Sequence, residues 1–288
     1  MSLKEVKNRI NSVKSTRQIT SAMKMVASAK LHKAEERINS MMPYQQQLNR
    51  IVGNFLGTNE EPISSPYVAE REVHRVAVVA FSSNTSLCGA FNSNVLRSLN
   101  ERMSHYASLG REALLLYPVG KKVEEAVRKW GYPIEGSYLS LSEKPTYAAA
   151  AQLALQLMQR FASGEVDRVE LIYHHFKSKG TQVLTLDTYL PLHIEQLKPS
   201  DSTNRHNYIV EPSMTALITT LLPKMLTQKI YTVALDSNAS EHAARTLAMQ
   251  TATDNANELL RELTQQYNKS RQQAITNELL DIIGGTLK

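Results

Sequence analysis

Cysteine is nearly absent from the sequence. Cys88 is the only one in 288 residues, which excludes an internal disulfide framework and any cysteine-based zinc site. A reducing cytosol is the natural setting. Long apolar runs are missing too. Val76 to Phe81 and Ala113 to Tyr117 fall far short of the ~20 residues that span a bilayer. Charge begins at Lys4, so no signal-peptide core is expected. The chain reads as soluble on its own, unless a partner holds it at a membrane.

Glycine and proline are absent from two long stretches near the ends. All ten prolines lie between Pro43 and Pro223, and nine of eleven glycines lie between Gly53 and Gly180. Residues 1 to 42 and 224 to 283 therefore have no helix breaker and are expected to form two helices of ~60 and ~90 Å. What is present is 42% apolar and 21% charged residues, enough to bury a core. The formal charge of +6 lies entirely on residues 1 to 42, which hold nine Lys/Arg against three Asp/Glu. The rest of the chain balances.

Ser2 and Glu5 have capping-box spacing. Leu3, Val6, Ile10 and Val13 then follow a coiled-coil seam of alternating threes and fours. The same register meets polar Arg17, Thr20 and Lys24 before recovering at Ala27, Leu31, Ala34, Ile38 and Met41. Either the partner at that centre is unusual, or the helix is exposed there, or Arg17 and Lys24 snorkel off an ordinary seam. The C-terminal segment repeats the rhythm in Met249, Ala252, Ala256, Leu259 and Leu263, then Tyr267, Ser270 and Ala274. The expected partner is the N-terminal helix, antiparallel. Unequal lengths leave ~18 residues, or ~27 Å, unpaired. That stretch, about 270 to 288, carries Ile275, Leu279, Ile282 and Ile283, apolar enough to need an external sleeve. Asn238 with Glu241 marks another possible start for this helix, in which case the overhang nearly vanishes.

The middle reads as α/β. Strands are expected at 73–81, 113–119, 134–141, 168–177 and 182–192, and helices at 91–106, 121–130 and 146–162. Such alternation implies a mainly parallel sheet with flanking helices. No phosphate-binding loop, dinucleotide fingerprint or nucleophile elbow occurs. Gly89 after the first strand reads as a turn and Cys88 as buried and inert. His174 and His175 point to opposite faces of a strand and cannot share a metal. No catalytic residue, cofactor site or metal site is expected. On the basic N-terminal helix Lys4, Lys7, Lys14, Lys33 and Arg37 share one side of the wheel, while Arg9, Arg17, Lys24 and Lys30 scatter round the rest. A groove-binding helix would concentrate them more, which favours a solvated or acid-facing surface over nucleic acid.

Three segments are recognisable. Ile10-Asn-Ser-Val-Lys-Ser-Thr-Arg-Gln-Ile-Thr-Ser-Ala-Met-Lys-Met-Val-Ala, Ser240-Glu-His-Ala-Ala-Arg-Thr-Leu-Ala-Met-Gln-Thr-Ala-Thr-Asp-Asn-Ala and Tyr267-Asn-Lys-Ser-Arg-Gln-Gln-Ala-Ile-Thr-Asn-Glu-Leu-Leu-Asp-Ile-Ile-Gly-Gly resemble the terminal helices of the gamma subunit of F-type ATP synthases, bacterial type. Length and order match throughout. The sequence departs from the family at Gly285, commonly alanine, and at Asn84-Thr85-Ser86, commonly Asp-Arg-Gly. It also lacks the chloroplast redox insertion.

The resemblance implies an α/β fold class: a long antiparallel coiled coil plus a central Rossmann-like α/β domain. The expected domains are 1–55, an N-terminal coiled-coil helix; 70–200, the central α/β domain; and 207–288, the C-terminal coiled-coil helix. It implies a non-catalytic rotor shaft that couples proton flow to ATP synthesis. The implied partners are the alpha and beta subunits, the epsilon subunit and the c-subunit ring, with no nucleic acid. The implied place is the cytoplasmic face of the bacterial inner membrane, peripherally bound. Carried over by motif are Arg271, Gln272, Thr276 and Met23 as beta-subunit contacts. Ile275, Leu279, Ile282 and Ile283 correspond to the hydrophobic bearing, and Tyr208 and Glu211 to the foot on the c ring and epsilon subunit. The alternatives are a basic coiled-coil adaptor for nucleic acid, and an enzyme with a nucleotide site in the α/β middle.

Overall fold

The computed structural model describes residues 2–58, 65–193, 211 and 213–286. In chain order the elements are α1 (Leu3–Thr58), β1 (Val76–Phe81), α2 (Phe91–His105), β2 (Leu114–Val119), α3 (Lys121–Lys129), α4 (Leu139–Glu143), α5 (Tyr147–Ala162), β3 (Arg168–Ser178), β4 (Thr181–Leu190) and α6 (Met214–Thr286). They divide into two compact units, one of residues 1–29 with 245–288, the other of residues 30–244.

The larger unit holds a sheet of order β2-β1-β3-β4. β1 runs parallel to β2 and β3, while β4 returns antiparallel to β3 through a tight hairpin. β1 and β2 are buried along their whole length, so their residues read as apolar runs rather than alternations. Val76, Val78 and Ala80 face Val95 and Leu99 of α2 and Val127 of α3. Ala77, Val79 and Phe81 face Leu153, Leu157 and Phe161 of α5, Leu226 and Ile230 of α6, and Leu48 of α1. β1 starts at Val76 rather than Val73. The amides of His74 and Arg75 donate to Asp167 Oδ2 at 2.9 Å each, outside the ladder. The strand expected at 134–141 is not there. Ile134 makes one bridge to Leu116, Gly136 turns the backbone to a φ of 87°, and α4 follows.

Both long helices pass through a proline that lies just outside the breaker-free stretches 1–42 and 224–283, though inside the wider bounds 1–55 and 207–288. Pro43 sits inside α1 and Pro223 inside α6. An internal proline removes one backbone hydrogen bond and costs ~3 kcal/mol in an isolated helix. Burial of Leu48 and Val52 beyond Pro43, and of Leu222 and Leu226 around Pro223, offsets it. Pro43 is itself exposed, so water can reach the freed carbonyl. α6 starts after Ser213, whose Oγ accepts from the Ala216 amide at 3.2 Å, and it does not restart at Asn238. The Asn238 side chain instead donates to Ser142 O at 2.9 Å. Leu31 and Ala34 of α1 pack on Ala239 and Ala243 of α6 within this unit, small residues that allow close approach.

In the smaller unit α1 opens with the capping box. The Ser2 amide donates to Glu5 Oε2 at 2.8 Å and the Glu5 amide to Ser2 Oγ at 3.2 Å. Val6 and Ala27 are buried on α1, and Met249, Thr253, Ala256 and Leu263 on α6. The seam is the expected one except that Thr253, not Ala252, takes the inner position.

Candidate functional site

The polar centre of the seam is paired across the two helices of the smaller unit. Arg17 Nη1 donates to Asn257 Oδ1 at 3.4 Å, and Lys24 Nζ to Gln250 Oε1 at 2.9 Å. Between them the Thr20 and Thr253 hydroxyls meet at 2.9 Å. The unusual partner is therefore the correct one of the three expectations. Two of the cations that invited a nucleic-acid reading are partly spent on these bonds.

These pairs fix the register, so Leu3 stands opposite about residue 271. α6 then continues to Thr286, some fifteen residues or ~23 Å further, slightly less than expected. The tail is apolar and exposed: Ile275, Leu279, Leu280, Ile282 and Ile283 show 48 to 64% of their surface. At ~100° per residue these five share one half of the helix, and Arg271, Gln272 and Thr276 fall in the same half. Gln273, Asn277 and Glu278 fill the other. The seam residues Leu263, Tyr267, Ser270 and Ala274 lie ~150° away from the centre of the apolar half. The tail's apolar face is therefore not a seam that has outrun its partner. It is a second face, turned outward. Thr276 Oγ1 donates back to Gln272 O at 2.9 Å, while Arg271, Gln272 and Thr276 are all exposed.

Met23 is half-buried and sits ~30 Å from Arg271 along the helices, so the expected contact residues form two stations rather than one. Met23 shares an arc of ~60° with Ile19 and Val26, which are 60 and 58% exposed. The sequence reading missed these two, and Leu280. Their signal was apolar side chains off the seam register. Glu211 is exposed in the larger unit. Tyr208 lies outside the described residues.

In the larger unit the place where α/β sheets commonly bind nucleotides, beyond the strand ends at the reversal of strand order, is occupied by the chain itself. Strand order reverses between β1 and β3. Ser142 of α4 donates to Ser82 O at 2.6 Å. Phe81, Ser82, Ser142, Ala234 and Asn238 close up so tightly that no water fits between them. Cys88 is buried, with Asn92 Nδ2 at 3.1 Å from its Sγ. His174 is buried against Phe91, ring centroids 4.5 Å apart, and His175 faces the other way, its Nδ1 2.6 Å from Asp236 Oδ2. Among the described residues no group of three His, Cys, Asp or Glu has metal-binding proximity, and no helix is long and apolar enough to cross a membrane.

Comparison with known proteins decides the family. The ATP synthase family profile matches residues 2–287. The chain belongs to the ATP synthase gamma-chain family. It is 58% identical over 297 residues to the ATP synthase gamma chain of Bacteroides thetaiotaomicron, covering all of this chain and 99% of that one. It is 60% identical over 288 residues to that of Bacteroides fragilis, covering 99% of each. Among solved structures the fold is similar to the rotor of the Euglena gracilis mitochondrial ATP synthase, at 20% identity and a TM-score of 0.66 over 95% of this chain and 98% of that one. It is also similar to a chain of the Tetrahymena thermophila central stalk and c ring, at 24% identity and 0.57, over 81% and 99%. The gamma chain is a non-catalytic subunit of its complex. The nucleic-acid adaptor finds no support in this family.

Proposed function

We propose that this chain is the central rotor shaft of an F-type ATP synthase, carrying torque between a membrane c ring and a catalytic alpha/beta hexamer. The observation that carries the mechanism is the outward apolar half of the α6 tail. A bare helix with that face is a liability in water, and a sleeve of surrounding subunits removes it. Ile275, Leu279, Ile282 and Ile283 then act as a hydrophobic bearing, tolerant of rotation because apolar contact is non-directional. Arg271, Gln272 and Thr276 contact beta-subunit loops beside it. Met23, with Ile19 and Val26, forms the second station, where the basic helix favours acidic loops. Segments 1–55 and 207–288 serve as shaft, and 70–200 as the α/β body. Glu211 and Tyr208 belong to the foot that meets the c ring and the epsilon subunit. The chain sits peripherally on the cytoplasmic face of a bacterial inner membrane, held there by its partners.

Substituting Met23→Lys tests the second station. A new cation at this station, where acidic loops are expected, binds them too strongly, so the mutant complex pumps fewer protons per ATP hydrolysed. An unchanged ratio refutes the role of Met23. Recovery of alpha, beta, epsilon and c subunits with the tagged chain from gently solubilised membranes tests the partners, and recovery of the chain alone overturns them.

A further inference from the structure

A concavity lies inside the larger unit, on the face of β3 and β4 that meets α1 and α6. It encloses about 410 Å³, within the ~300 to 1,000 Å³ typical of small-molecule sites. Leu192, Met225 and Val233 form apolar walls, and two carboxylates reach it, Asp187 from β4 and Asp236 from α6. Asp187 is held by Lys229 Nζ at 2.8 Å. Asp236 is placed differently. Its side chain is only 13% exposed, yet its partners are the Phe176 amide at 3.3 Å and His175 Nδ1 at 2.6 Å. That imidazole is 54% exposed and can swing into solvent with little loss of packing. Burial raises the Asp236 pKa, while the hydrogen bond and charge of His175 pull it down, so the carboxylate is incompletely compensated. The remaining titratable group in the walls is Tyr173. α1 contributes only Met42 and the amides of Gln45, Gln46 and Asn49. With His175 swung away the walls carry two carboxylates against one ammonium, that of Lys229. Thr232 Oγ1 is buried in the wall without a hydrogen-bond partner.

We infer that this cleft binds a small organic cation, an amidinium, guanidinium or amine on an apolar stem, which replaces His175 as the partner of Asp236. A planar delocalised cation gives a carboxylate two parallel N–H bonds. Its stem lies on Met225 and Val233, and the Thr232 hydroxyl gains a donor. This site is independent of the rotor reading.

The test titrates 4-aminobenzamidine into the full chain, read by its fluorescence and by saturation-transfer NMR. Wild type binds saturably. Asp236→Asn, which keeps an acceptor for the Phe176 amide, weakens binding by ~10-fold or more. His175→Ala strengthens it by removing the competitor. Both variants break the same pair, so a purely structural pair shifts both in one direction. Gln46→Trp at the exposed mouth blocks binding without changing the melting temperature. Absence of saturable binding to wild type, or parallel effects of the Asp236 and His175 variants, overturns the proposal.

Discussion

His174 is a buried imidazole, and burial lowers its pKa from 6.5 to about 4. The unfolded chain therefore takes up a proton first as the pH falls, and stability is lost progressively between about 6.5 and about 4. At pH 5 the loss from this residue is ~2 kcal/mol relative to pH 7. Asp236, whose pKa burial raises, acts with the opposite sign, so the comparison must be with a His174 variant. Urea denaturation at the two pH values is expected to show a smaller loss for His174→Phe than for wild type; equal losses contradict the assignment. Gly120 is a second residue with a definite expectation. It has a φ of 108°, and a Cβ there would lie 2.1 Å from Ser82 O. Both are backbone features that cannot yield, so Gly120→Ala should cost at least ~2 kcal/mol in the same assay. Neither residue could be graded from sequence. His174 looks like His175 until the strand's faces are known, and Gly120 looks like any turn glycine until Ser82 lies beside it.

The helices were legible because their signals are local. A breaker-free run, a capping box and a seam of threes and fours need no tertiary information. What was not legible was where tertiary packing overrides local cost, as at Pro43, or where a cap-like residue is used for something else, as Asn238 is. Relief of the proline is measurable: Pro43→Ala should raise thermal stability, by up to ~3 kcal/mol, and a decrease would mean that the ring is required for packing. The polar seam centre gives another test. Thr20 Oγ1 also lies 3.1 Å from Arg17 O, and Thr253 Oγ1 2.7 Å from Met249 O, so both hydroxyls are well served. Replacing both with valine removes donors and acceptors together and should change stability by no more than ~1 kcal/mol. Either single replacement should likewise cost no more than ~1 kcal/mol, because the remaining hydroxyl keeps its own backbone carbonyl.

Across the whole molecule, the proposed sleeve rests on the exposed apolar side chains of the α6 tail. Removing residues 276–288 should leave the melting temperature of the isolated chain unchanged, since residues 276–280, 282 and 283 are exposed, while weakening assembly. A large fall in melting temperature contradicts the sleeve. The sequence already carried the family motifs and the apolar content of the tail. It did not carry the direction of that apolar face, which depends on the seam register, nor the exposure of Ile19 and Val26 beside Met23. The most direct measurement of the rotor claim attaches a probe to Gly180→Cys, at the hairpin between β3 and β4, where a side chain meets nothing within 4 Å. The complex of this chain with its alpha and beta subunits is immobilised and supplied with ATP. Unidirectional, ATP-dependent rotation of the probe is the expected result. Sustained ATP hydrolysis with a stationary probe would contradict the account.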